Sequence, residues 1–143
     1  MITGHRERLV GMTDDLRVLV ERLKAVSHPL RLRVLALLAP GELGVCQVAE
    51  TLQVPQSSVS EALKELRRAG FIVERKEGRW VFVSVVPQQE LTPFLRGLLT
   101  EAGNLPKVLE DRARAKEVQA LSLPSVCAKV QTVASMAPEA VRA

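Results

Sequence analysis

Gln56-Ser57-Ser58-Val59-Ser60-Glu61-Ala62-Leu63-Lys64-Glu65-Leu66-Arg67-Arg68-Ala69-Gly70 is the stretch on which the fold turns. Val59, Ala62, Leu63 and Leu66 recur at i, i+3, i+4 and i+7, so they line one helical face, and Gly70 suits the left-handed residue that ends such a helix. The other face presents Gln56, Ser57, Ser60, Glu61, Lys64 and Arg68. These are hydrogen-bonding groups and cations of the kind that meet base edges and phosphates in a major groove. Just upstream, Val48, Ala49 and Leu52 predict a short helix over 46–53, and Val54-Pro55 a tight corner. Two short helices joined by a turn outline a helix-turn-helix, in which the first helix braces the second. Glu61 has to accept from a cytosine amino group, pair with Lys64 or Arg68, or point away from DNA.

Beyond Gly70 the period drops from 3.6 to 2. Phe71-Ile72-Val73 and Trp80-Val81-Phe82-Val83-Ser84-Val85-Val86 read as strands, with the charged stretch 74–79 and Gly78 as the tip of a hairpin. Arg75, Lys76 and Arg79 on that tip suit phosphate or minor-groove contact; Glu74 and Glu77 dilute their charge. Leu91, Phe94, Leu95, Leu98, Leu99 and Ala102 then predict a helix over 89–102.

Upstream of the motif, Met12, Leu16, Leu19, Val20 and Leu23 predict a first helix over 14–26, with Thr13, Asp14 and Asp15 at its start. Pro29 can open a second helix over 29–39 that ends at Pro40-Gly41. Residues 43–45 are a short strand or a connection. Two weaker helical stretches, 106–120 and 124–136, follow, separated by Ser122-Leu123-Pro124. The expected fold is mainly α with a small β-hairpin wing, a winged helix-turn-helix over 12–103 carrying a helical extension over 104–143.

Composition narrows the function. At 143 residues there is room for one core, and 47% hydrophobic with 25% charged residues is the balance of a globular chain. Aromatics are 3%, without Tyr, which leaves too few rings for a base-stacking platform. Twenty Lys+Arg against sixteen Asp+Glu favour an anionic partner, nucleic acid foremost. No apolar run approaches bilayer length and no signal-peptide pattern opens the chain, so a cytoplasmic protein without membrane partners is expected. Histidines are two, no phosphate-binding glycine loop occurs, and the Ser57-Ser58-Val59-Ser60 cluster has neither a nearby base nor a nucleophile-elbow pattern. An enzyme is not expected. His28, before Pro29 at a helix start, reads as structural, and His5 is assigned no role. Arg31 and Arg33 are as compatible with DNA-backbone contact as with an ordinary surface.

Specific residues carry a resemblance. Ala25-Val26-Ser27-His28-Pro29-Leu30-Arg31-Leu32-Arg33-Val34-Leu35, Glu42-Leu43-Gly44-Val45-Cys46-Gln47-Val48-Ala49, Gln56-Ser57-Ser58-Val59-Ser60 and Leu63-Lys64-Glu65-Leu66-Arg67-Arg68-Ala69-Gly70-Phe71-Ile72 occur in that order. Over about residues 16–102 the chain resembles the ArsR/SmtB family of metal- and metalloid-responsive repressors. The resemblance implies a homodimer that binds palindromic operator DNA without a cofactor and lets go when a thiophilic or transition-metal ion binds. It also implies that the first and last core helices pack across the two-fold axis, through Leu16, Leu19, Val20, Leu23, Leu91, Leu95, Leu98 and Leu99; within one chain the same stripes read simply as core. Candidate DNA contacts are Gln56, Ser57, Ser58, Ser60, Lys64 and Arg68 on the helix, with Arg75, Lys76 and Arg79 on the wing.

Departures from the family pattern bear on the effector. Gly44 stands where arsenic and cadmium sensors carry the first cysteine of a Cys-Val-Cys pair, and 89–102 holds neither His nor Cys. Cys46 and Cys127 are the only cysteines. In a reducing compartment a stabilising disulfide is their less expected use. As thiolates they are candidate ligands for As(III), Sb(III) or Cd(II), with As(III) favoured as the inducer, although As(III) generally takes three sulfurs. Three alternatives stay open: reversible oxidation of Cys46, a small buried apolar role for either cysteine, and a protein-docking role for the tail through Val126, Val130 and Val133.

Overall fold

The computed structural model describes the backbone of residues 2–130 and the side chains of 14–87 and 89–130. Pro29 supplies its fixed φ at the first position of α2 (Pro29–Leu38), and the His28 imidazole caps that helix, Nδ1 accepting the Leu30 N–H at 3.2 Å. His28 is thus structural, as its position before Pro29 suggests. His28→Ala is expected to cost about 1 kcal/mol of unfolding free energy, read by urea titration. Preceding it, α1 (Ile2–Val26) begins well before the expected residue 14. Thr13, Asp14 and Asp15 are therefore inside the helix, and Asp14 pairs with Arg17 one turn on at 3.1 Å.

The helix-turn-helix forms where its periodicity places it, as α3 (Val45–Leu52) and α4 (Gln56–Arg68). Val48, Ala49, Leu52, Val59, Ala62, Leu63 and Leu66 are all buried in one core with Val34, Leu35 and Leu38 of α2. Gln53 takes the left-handed φ of 58° that turns the chain between the two helices, and the Val54 N–H closes back on the Ala49 carbonyl. Burial of a complete face on α4 leaves its other side fixed towards solvent.

The wing is a ribbon of β2 (Ile72–Glu77) and β3 (Trp80–Val85), turned at Gly78 with φ 61°. Glu74, Arg75 and Lys76, expected at the tip, lie opposite Val83, Phe82 and Val81 in the ladder. The strand is held by its partner rather than by its own hydrophobicity, so period-2 reading could not find it. β1 (Leu43–Gly44) adds a third strand antiparallel to β3, giving the order β1-β3-β2. After a 3-10 turn at Gln88–Glu90 come α5 (Pro93–Gly103) and α6 (Pro106–Gln119), and the chain is helical again over 123–130. The remainder of the expected 124–136 helix lies outside the described residues.

The extension folds back over α2 and α3. Val108, Ala115, Val118, Val126 and Val130 join the buried set. Asp111, 3% exposed, receives both Nε and an Nη of Arg33 at 3.0 Å, and Arg112 donates to the Ala36 carbonyl at 2.9 Å. The Arg33 guanidinium is held above its ordinary pKa by that hydrogen bond from its side chain to Asp111. Arg31 donates to the Ala25 and Lys24 carbonyls, satisfying the last turn of α1. Both arginines thus have partners within the chain.

The two stripes assigned to the core or a dimer separate. Leu16, Leu19, Val20 and Leu23 are exposed, Leu16 at 61%, so the first helix does not contribute its stripe to the chain's own core. On α5, Leu95 and Ala102 are buried within the chain, which leaves Leu95 almost no surface for a partner, while Leu98 and Leu99, and Leu91 just before the helix, are partly buried.

Candidate nucleic-acid interface and cysteine pair

On α4, Ser57, Ser60, Glu61, Lys64, Arg67 and Arg68 are exposed, with Gln56 and Ser58 partly so. The helix therefore offers the hydrogen-bonding ridge that its sequence predicts. Arg68 leans towards Glu65 at 3.8 Å; Lys64 has no ion-pair partner among the described residues and is the free cation of the ridge.

The wing is arranged differently from the sequence expectation. Arg75 gives both ends of its guanidinium to Glu42 at 2.7 Å and lies 4.6 Å over the Phe82 ring. It fastens the wing to the loop before β1, with half of its side chain still exposed. The Arg75 hydrogen bond holds the Glu42 carboxyl below the usual range, so this fastening is complete at neutral pH and is lost only as pH falls through that lowered value. Arg79 stacks 4.5 Å over Trp80, and Arg67 pairs with Glu74. Lys76 is exposed and unpaired among the described residues. Hence Lys76→Ala is expected to reduce the slope of log affinity against log salt by about one, and Arg75→Ala to leave it nearly unchanged, in duplex titrations over a salt series.

The sulfurs are where the structure departs most from the sequence reading. Cys46, on the first turn of α3, and Cys127, on the helical segment 123–130, are joined by a disulfide with Cα atoms 5.0 Å apart. A disulfide, expected as the lesser use of this pair, is what the fold-back of the extension brings about, and in this state neither sulfur is a free ligand. Beside the bond, Glu50 is buried on α3 one turn from Cys46; it accepts from Lys129 at 2.9 Å and faces Arg114 at 3.9 Å. This ionic anchor was not legible in sequence, because Lys129 lies 79 positions from Glu50.

Gly44 acquires a physical meaning. A Cβ at that position would come within 3.3 Å of Leu123 Cδ1 and 3.7 Å of the Phe82 ring, so the extension rests on the space that a side chain there would take. The Gly44 N–H is held by Gln47 Oε1 at 2.8 Å.

Between α4, the wing and the extension lies a cleft of about 430 Å³. Gln56, Ser60, Glu61 and Lys64 line one side, Arg79 and Trp80 another, and Cys46, Leu123 and Cys127 its floor. Cys46 Sγ is 3.6 Å from Gln56 Oε1, at the first residue of α4. No cluster of three His, Cys, Asp or Glu able to hold a metal occurs among the described residues, so one chain does not assemble the three-sulfur set that As(III) generally takes. Val126 and Val130, considered above as a docking surface, are spent on the chain's own core, and Val133 lies outside the described residues.

A braced α4 with a free polar ridge, flanked by a three-stranded wing, defines a winged helix-turn-helix DNA-binding regulator. The sequence pattern described as bacterial regulatory protein, arsR family, matches residues 28–73. The HTH-type transcriptional regulator MJ1325 of Methanocaldococcus jannaschii is 42% identical over 67 residues, covering 46% of this chain and 75% of that protein. The transcriptional activator HlyU of Vibrio cholerae is 38% identical over 84 residues, covering 59% of this chain and 78% of that protein. Its structure in the reduced form superposes with a TM-score of 0.53 at 28% identity, covering 64% of this chain and 90% of HlyU. The arsenic resistance transcriptional regulator ArsR1 of Pseudomonas putida is 33% identical over 79 residues, which span 53% of this chain and 62% of ArsR1.

The chain belongs to the ArsR family of bacterial transcriptional regulators, as the resemblance in its sequence implies. Its relatives are regulators of transcription and not enzymes. Among the described residues no helix is long and apolar enough to cross a membrane.

Proposed function

We propose that this protein is a dimeric repressor that lays α4 in the major groove of its operator and is released when Cys46 and Cys127 become joined. Two copies meet through the exposed α1 stripe, together with the partly buried Leu91, Leu98 and Leu99, and so present two α4 helices about one helical turn apart. Gln56, Ser57, Ser58 and Ser60 meet base edges and nearby phosphates; Lys64, Arg68, Lys76 and Arg79 supply charge.

The observation that carries this reading is the contact between the disulfide and the reading head. Cys46 touches Gln56 at the start of α4, and the Leu123–Cys127 turn shares a cleft with Ser60 and Lys64. With the sulfurs joined, the extension is pinned beside the face that DNA needs; with them reduced, only the packing of Val126 and Val130 and the Lys129–Glu50 pair hold it there, a non-covalent hold that can open. Oxidation by a peroxide balances as two thiols giving up two electrons and two protons, the peroxide becoming water and an alcohol or a second water. HlyU, solved in a reduced form, is in keeping with thiol chemistry in a relative.

Titration of the chain's own upstream duplex against a scrambled duplex, with oxidised and with reduced protein, tests the reading. Tight, sequence-dependent binding by the reduced form alone is expected; equal affinity in both states overturns the sulfur half, and indifference to sequence overturns the DNA half.

A second reading rests on the same proximity. The reduced pair places two thiolates together, a partial site for As(III), Sb(III) or Cd(II) that a third sulfur from a small thiol or the second chain would complete. ArsR1 is an arsenic resistance regulator. Release of reduced protein from DNA by arsenite, antimonite or cadmium supports this reading, and unchanged affinity with all three removes it.

A further inference from the structure

We propose that the cleft between α4, the wing and the extension is a docking site for the reductant that reopens the disulfide, a small peptide thiol carrying carboxylates and an ammonium group. The inference rests on the redox reading above and adds the identity of the molecule that reverses it. Both disulfide cysteines line the cleft, so a ligand seated there is in contact with the bond it would cleave. Cys46 is partly exposed, whereas Cys127 is 3% exposed, which directs attack to Cys46 Sγ.

The walls specify the charge of the ligand. Arg67 and Glu74 pair with each other, leaving Lys64 and Arg79 to receive carboxylates and Glu61 to receive an ammonium. Arg79 is held over the Trp80 ring, which places its charge at the rim without a competing carboxylate among its described contacts.

The exchange balances. The ligand thiolate attacks Cys46 Sγ, the bond to Cys127 breaks, and its electron pair leaves on Cys127 Sγ, which takes a proton from water. The mixed disulfide on Cys46 is then attacked at the ligand sulfur by a second thiolate of the same kind. A small-molecule disulfide departs and Cys46 is left as a thiolate. Two thiols have been oxidised and one protein disulfide reduced.

The test follows reduction of the oxidised full-length chain by alkylation and mass spectrometry, with glutathione, 2-mercaptoethanol and cysteamine compared at equal thiolate concentration. The expected rate with glutathione saturates and exceeds that with 2-mercaptoethanol about tenfold, and cysteamine is slower than both. In Lys64→Gln/Arg79→Gln protein the ratio of glutathione to 2-mercaptoethanol rates falls about tenfold, towards unity. Rates that stay linear in every thiol and follow thiolate basicity alone overturn the inference, as does a preference that survives in the variant. If the disulfide never forms, or forms without changing DNA affinity, the regulatory reading fails first. If it forms, controls DNA binding and yields equally to all three thiols, only the docking site is overturned.

Discussion

Cys127→Ser protein is expected to hold its operator with the affinity of the reduced wild type whether or not oxidant is present. Oxidised wild type is expected to bind about 10- to 100-fold more weakly, the usual span of a coupling between two sites in one small protein. The reason lies in where the bond sits. Closing it fixes the segment 123–130 against α3 and the first turn of α4, and the loop it closes spans 81 residues. A cross-link over that distance restrains the unfolded chain by about 4.5 kcal/mol, so oxidation also raises stability while it lowers affinity. That combination separates a switch from damage: an oxidised protein that lost DNA by unfolding would lose both. Cys46→Ser should behave alike in duplex titration. An affinity that still falls with oxidant in either variant would place the control elsewhere.

Asp111→Ala is expected to lower unfolding free energy by about 2–3 kcal/mol, measured by urea denaturation of the reduced protein. Asp111 is buried and receives a forked pair of hydrogen bonds from Arg33, whose guanidinium would be left beside α2 without its carboxylate. Arg33 keeps 27% of its side chain in water, which holds the cost below that of a fully buried pair. The consequence reaches the sulfurs. α6 carries the chain back across α2 and α3 and sets where 123–130 begins, so loosening it lowers the effective concentration of Cys127 near Cys46 and slows disulfide formation. A change below 1 kcal/mol would mean that α6 is held by its buried Val108, Ala115 and Val118 and by Arg112 on the Ala36 carbonyl, without help from the Arg33–Asp111 pair.

How much of this is legible in sequence depends on how local the cause is. The face of α4 follows from Val59, Ala62, Leu63 and Leu66, because a 3.6 period with a glycine stop needs no tertiary information. Strand β2 from Glu74 onward did not announce itself, since its pairing with Val81, Phe82 and Val83 comes from β3. The α1 stripe could not be told from core by period alone; only packing reveals that no described residue buries Leu16 or Leu23. Cys46 stands out through its position on α3, whereas its partner is chosen by the course of the extension, in which α6 passes Asp111 over Arg33 and the segment 123–130 sets Leu123 over Gly44. The clamp of Arg75 on Glu42 was not legible because the two are 33 positions apart. Charge runs are read correctly in sequence only when the opposing charge is near.

The central claim is that one sulfur–sulfur bond and one DNA surface are thermodynamically linked, and linkage is reciprocal. The most direct measurement is the midpoint of the Cys46–Cys127 couple in a thiol–disulfide buffer, with and without saturating operator duplex. Tighter binding by the reduced form predicts that operator makes the disulfide easier to reduce, by about 30–60 mV for a 10- to 100-fold affinity ratio. A midpoint that does not move when DNA is added, or that moves towards harder reduction, would contradict it.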